Sequence, residues 1–160
     1  MLYHAAIHGI YGELGNMNKK LLKSIGAVVA GAAVSIVLEL GTDKAMRTAG
    51  IFPSGEGSMS DTLFILATTY RTIYGVLGAY ITARLAPDRP MFHALILGVL
   101  GTVAAAAGAI AMWNKMPEIG PKWYALALIV LALPPAWLGG KLRLMQVNDQ
   151  TESSLQPDPR

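Results

Sequence analysis

The stretch TLFILATTYRTIYGVLGAYITARL, residues 62–85, decides how the whole chain is read. It has the length and apolar content of a membrane-crossing helix, which needs about 20 residues in a range of about 17–25. Yet Arg71 stands near its middle. An arginine at a helix centre costs roughly 2.5–3.5 kcal/mol on insertion scales. Such a charge requires a partner elsewhere in the chain.

Three further apolar runs flank this one. They are LLKSIGAVVAGAAVSIVLEL from Leu21, FHALILGVLGTVAAAAGAIAMW from Phe92, and WYALALIVLALPPAWLGG from Trp123. Each is long enough to span. Four such runs in 160 residues leave too little chain to cover them in water. The composition agrees: charged residues are 14% of the chain, against about 25% in a soluble domain, and the mean hydropathy is +0.43. Frequent Ala and Gly, with no period-2 alternation, exclude strands. The expected fold is therefore an all-α membrane protein, with four transmembrane helices over about 21–41, 62–84, 92–113 and 123–140. The short links LAPDRP and NKMPEIGPK make neighbouring helices antiparallel, giving an up-down bundle within residues 17–144.

The remaining segments are polar or ambiguous. Residues 1–16 read either as an upstream extension of the reading frame, since MNKKLLKSIG from Met17 resembles a bacterial start, or as a short interfacial segment. The basic start of the first run does not make it a cleaved leader, because its apolar part exceeds the usual 7–15 residues of a signal peptide. Ser58 with Asp61 resembles a capping box opening the second helix. Residues 145–160 read as a disordered tail.

Lysine and arginine orient the bundle. With the N-terminus inside, Lys19, Lys20, Lys23, Arg84, Arg89, Lys141, Arg143 and Arg160 lie inside, and Lys44, Arg47, Lys115 and Lys122 outside. This asymmetry predicts N-in/C-in. Phe92, Trp113, Trp123, Tyr124 and Trp137 fall near span ends, as interfacial aromatics do.

Helical spacing places Arg71 on one stripe with Ala67, Thr68, Gly75, Gly78 and Thr82. Small stripes are where membrane helices approach one another, so Arg71 is expected to face a neighbouring helix. Its expected partner is Glu39. With 1.5 Å rise per residue, Glu39 lies about 12 Å outward of its span's midplane and Arg71 about 3 Å outward of its own. Tyr70, Tyr74, Thr68 and Thr69 add hydroxyls, giving an intramembrane polar site of Arg71, Glu39, Tyr70, Tyr74 and Thr68. Gly75, Gly78, Gly98, Gly101 and Gly108 are expected to be helix-packing positions. His93 is expected at the inner interface, and Pro134 and Pro135 are expected to end the fourth helix.

Several function classes lose support. The chain has no cysteine, which removes disulfides, thiolate catalysis and cysteine-based metal sites. HExxH, GxSxG, P-loop and dinucleotide signatures are absent. His4 and His8 are four apart but have no third ligand nearby. The basic residues are explained by orientation, which leaves none for nucleic acid. In outline, four helices with one acidic residue in the first resemble the small multidrug-resistance exporters. In that family the acidic residue lies mid-membrane. Glu39 near the outer end, opposed by Arg71, departs from that pattern, and the chain is not assigned to that family. The expectation is a non-enzymatic protein without metal or cofactor, an accessory or structural subunit of a bacterial inner membrane. Its partners would be the bilayer and either a second copy or another membrane protein. The alternative is a small homo-oligomeric solute or ion transporter using the Arg71/Glu39 site.

Overall fold

The computed structural model describes the backbone of residues 2–53, 59–115 and 120–155, and side chains from Glu13 to Ser154 except residue 14. Every regular element among these is helical. The helices are α1 (Leu2–Thr48), α2 (Asp61–Leu85), α3 (Pro90–Met112) with a 3-10 turn at Trp113–Lys115, α4 (Lys122–Val130) and α5 (Leu133–Leu155). Three stretches are long and apolar enough to cross a membrane: Gly15–Thr48, Pro90–Lys115 and Lys122–Ser154. The second expected span, α2, is not among them, because Arg71 and its tyrosines and threonines lower its hydropathy.

Helix α1 overruns its expected end near residue 41 by two turns. Gly41 is the weakest helix former in that segment, at a cost of about 1 kcal/mol in a helix interior. Termination comes at Gly50, whose φ of +71° places it in the left-handed region that closes helices. The Gly50 N–H donates to Arg47 O (3.1 Å) and the Ile51 N–H to Met46 O (2.9 Å). This pairing satisfies two carbonyls that the helix end would otherwise leave open. Phe52 then folds back beneath the helix end and packs in a cluster with Ala67, Tyr70 and Met46.

Two further boundaries differ from expectation. Ser58 lies outside the described residues, and the N-cap of α2 is Ser60, in extended conformation and without a side-chain cap bond. The fourth run is also not one helix. It breaks at Leu131–Ala132, and Pro134 and Pro135 occupy the first turn of α5. The prolines do not end the helix; they open a new one. Proline is tolerated in the first turn, where N–H groups have no intrahelical acceptor. It does remove the donors that would have bonded the carbonyls four residues back, those of Val130 at the end of α4 and Leu131 just after it. From there α5 continues to Leu155, through most of the tail expected to be disordered. Residues 156–160 lie outside the described residues. At the other end α1 begins at Leu2, so the expected N-terminal extension continues the first helix.

Helix α2 occupies the centre, packing against α1, α3, α4 and α5. Its contacts with α1 run in opposite numerical order. A Cβ on Gly31 would strike Thr82 and the Gly78 carbonyl, while Ser35 Oγ donates to Tyr74 O at 3.0 Å. Thr42 Oγ1 meets Tyr74 Oη at 2.9 Å further along. Thus α1 and α2 are antiparallel, in backbone contact at the glycines. Two polar contacts mark the ends of α2, one to α1 and one to α4. Lys20 of α1 pairs with Asp88 in the α2–α3 turn at 3.2 Å, and Trp123 Nε1 donates to Asp61 Oδ1 at 3.2 Å at the start of α2. Hence α2 runs the full height that α1 covers between Lys20 and Asp43.

The core is made of small residues. Ala79, Ala83, Ala94 and Ala136 form its centre. Helix α5 lies close to both α2 and α3: a Cβ on Gly98 would sit 2.5 Å from Ala136 Cβ, and one on Gly139 would meet the Val76 carbonyl. The large apolar side chains point outward instead. Leu22 is 70% exposed, Val37 67%, Ile110 78% and Val130 69%. A small-residue interior inside an exposed aliphatic belt inverts the soluble pattern and suits lipid as solvent.

His93, in the first turn of α3, is buried. Its Nδ1 lies 3.2 Å from the Arg89 carbonyl one turn back. Arg89 itself is left-handed (φ 48°); the following Pro90 disfavours the right-handed helical region there but would by itself favour an extended backbone.

Candidate functional site

The site is built on α2, whose interior face presents Arg71 to α1 and α4. Glu39 and Asp43 lie four residues apart on α1, hence on one face, and both turn toward Arg71. Asp43 is the closer partner: Arg71 Nη2 donates to its Oδ2 at 2.7 Å. Glu39 Oε2 lies 3.8 Å from Arg71 Nε, beyond hydrogen-bond distance. Arg71 Nε is accordingly buried without a hydrogen-bond partner. The remaining end of the guanidinium, Nη1, donates to the Tyr124 hydroxyl from α4. The Tyr124 ring also lies beneath it, 5.9 Å from the guanidinium carbon to the ring centre.

Tyrosines complete the cluster. The Tyr70 hydroxyl donates to Asp43 Oδ1, so Asp43 is engaged through both oxygens. Tyr74 stacks obliquely on Tyr70, with 5.8 Å between ring centres, and bonds to Thr42. Thr68 is not part of this cluster. Its hydroxyl donates to the Phe64 carbonyl of its own helix at 2.8 Å, and Thr69 does the same to Ile65. Back-bonding of this kind satisfies a threonine in apolar surroundings without any partner helix.

The structure therefore brings together Arg71, Glu39, Tyr70 and Tyr74, and adds Asp43 and Tyr124. Asp43 lies beyond the expected end of the first helix near residue 41, and only the longer α1 brings it onto the face of Glu39. The i, i+4 spacing of Glu39 and Asp43, with no strong helix stop between them, is the signal that could have found it. Tyr124 carried no such signal; it read as an interfacial aromatic, and only the packing of α4 against α2 turns it onto Arg71.

Inward of this cluster lies a cleft of about 460 Å³, walled by all of α1 to α5. Its walls are largely apolar: Ala32 and Ile36, Leu97 and Leu100, Leu128 and Leu131 among others. Glu39 and Arg71 cap its outer end, with Ser35 and Thr72 below them. The interruption at Leu131–Ala132 borders it directly. The packing glycines divide around it. Gly75, Gly98 and Gly101 line it and face Pro135, Ala136 and Ala132 respectively, and Gly78 abuts Ser35 and Gly31. Gly108 meets nothing within 4 Å.

Electrostatically the cluster is unbalanced. Two carboxylates face one guanidinium, and Asp43 holds the guanidinium with the better geometry. Among the described residues nothing donates a hydrogen bond to Glu39. Also among these residues, no group of three or more His, Asp or Glu is placed to hold a metal ion. No protein-family model, curated protein or solved structure matches the chain.

Proposed function

We propose that the chain is a non-enzymatic integral membrane protein of the bacterial inner membrane, with four spans in an antiparallel bundle oriented N-in/C-in, and that it serves as an accessory or structural subunit. The observation that carries this reading is the engagement of Arg71 by side chains from two other helices. A charge held by Asp43 of α1 and Tyr124 of α4 is a clasp for the bundle. It also accounts for α2 as the fourth span. A helix surrounded by the others can be more polar than lipid would permit, because its charge faces protein.

A second reading, a small homo-oligomeric transporter, is favoured by the apolar cleft, by Glu39 at its mouth, and by the interrupted α4–α5 helix beside it. Broken helices border binding sites in many transporters.

The test is folded yield in membranes, read as a monodisperse peak after detergent extraction. Arg71→Ala is expected to lower that peak severalfold, and Arg71→Ala with Asp43→Ala to restore part of it. A normally folded Arg71→Ala would overturn the clasp and leave Arg71 free for transport. Topology is read separately. The chain has no cysteine, so single cysteines at Ala49 and Asn114 should label only from outside, and those at Asp88 and Gln150 only from inside.

A further inference from the structure

The cleft has a direction and a charge, and together they define an occupant. Its outer cap is Glu39, whose carboxylate has no hydrogen-bond donor among the described residues, while Arg71 beside it is held by Asp43 and Tyr124. The capping groups that face one another there are Glu39 and Asp43 from α1, Tyr70 and Arg71 from α2, and Tyr124 from α4. Their formal sum is one negative charge. A hard metal ion is a poor fit, since it needs about six oxygen ligands and the walls supply few. An anion is disfavoured by the same surplus carboxylate. The complement is a single ammonium group.

The rest of the cleft specifies what that ammonium is attached to. From Glu39 the apolar walls run inward for about 12 Å, the rise from Leu97 to Ala105 on α3. Its volume of about 460 Å³ falls in the range of about 300–1,000 Å³ typical of ligand sites. Helices α1 and α3 touch only lightly, and the cleft-lining Ile36 and Leu100 on those helices are 54% and 53% exposed. The cleft therefore opens sideways, between α1 and α3, toward the acyl chains. Glu39 lies at the outer end of α1's apolar run, near headgroup depth. We propose that the cleft binds a membrane lipid carrying an ammonium head, with the head on Glu39 and an acyl chain lying between α1 and α3. The inference rests on the membrane-spanning reading.

The experiment uses the full chain in nanodiscs of phosphatidylglycerol, which has no ammonium, and in discs containing half phosphatidylethanolamine. The probe is decylammonium, titrated against each disc and against empty discs. In phosphatidylglycerol discs the protein is expected to bind it saturably, and Glu39→Gln to weaken binding by at least about tenfold. Decanol is expected to bind both proteins alike. In phosphatidylethanolamine discs decylammonium affinity is expected to fall, because the lipid competes. Ala105→Leu, which fills the outer part of the cleft without removing a charge, is expected to weaken binding even if Glu39→Gln fails to fold. Equal decylammonium binding in the two discs would overturn the lipid assignment. Unchanged binding in Glu39→Gln or in Ala105→Leu would overturn the site. Failure of the chain to enter discs at all would instead overturn the membrane-spanning reading, which the labelling pattern at Ala49 and Asp88 reports independently.

Discussion

Asp43→Ala is expected to destabilise the protein far more than Glu39→Ala, although Glu39 is the carboxylate that the apolar run contains. The magnitude follows from the geometry. Asp43 holds Arg71 at 2.7 Å, with only 24% of the arginine side chain and 22% of the aspartate exposed. Removing one partner of a fully buried pair costs about 3–5 kcal/mol, because the other charge is left stranded. Exposed pairs are worth about 0–1 kcal/mol. Weighting for the residual exposure places Asp43→Ala at about 2–3 kcal/mol. Glu39 lies 3.8 Å from Arg71 Nε, and its side chain is 32% exposed. Its removal should cost less than about 1 kcal/mol. The difference of about 2 kcal/mol is roughly a 30-fold shift in the unfolding equilibrium. It is measured by titrating the purified protein from mild detergent into SDS and following fluorescence of its three tryptophans. Arg71→Ala and the Arg71→Ala/Asp43→Ala double variant close the cycle. The double variant should be more stable than the sum of the single effects allows, by about 1–3 kcal/mol of coupling. If Glu39→Ala costs as much as Asp43→Ala, or if the cycle shows no coupling, the clasp is wrong.

Three further outcomes follow from single contacts, read by the same unfolding titration. Tyr124→Phe keeps the ring beneath Arg71 but deletes the hydroxyl that Arg71 Nη1 reaches, and should cost about 1–2 kcal/mol. Gly31→Ala would drive a methyl into Thr82 and the backbone of α2; backbone cannot yield cheaply, so a loss of about 1–3 kcal/mol or more is expected. Gly108→Ala meets nothing within 4 Å and should be neutral or stabilising by up to about 1 kcal/mol, the helix propensity difference.

Hydropathy and period alone determined that this chain is helical and built around long apolar segments, because lipid demands internally bonded backbone and long apolar runs whatever the tertiary arrangement. The stripe of Ala67, Gly75, Gly78 and Thr82 was also legible on α2, since a 3.6-residue period fixes which residues share a face. So was the nearness of Arg71 to Glu39, from axial height. What the sequence could not supply was the better partner. Asp43 depended on whether α1 passed Gly41, and a single glycine is too weak a signal to settle a boundary that two more turns of helix and their contacts with α2 decide. That Pro134 and Pro135 open a helix instead of ending one was hidden for a related reason: the same residue type ends one helix or begins the next, and which it does depends on whether a helix can be packed beyond it. Here α5 is packed beyond it, against α2 and α3. The engagement of Tyr124 and the cleft beneath Glu39 arise only from the assembly of all five helices. They are properties of distances between elements far apart in sequence, and no periodicity within one element encodes them.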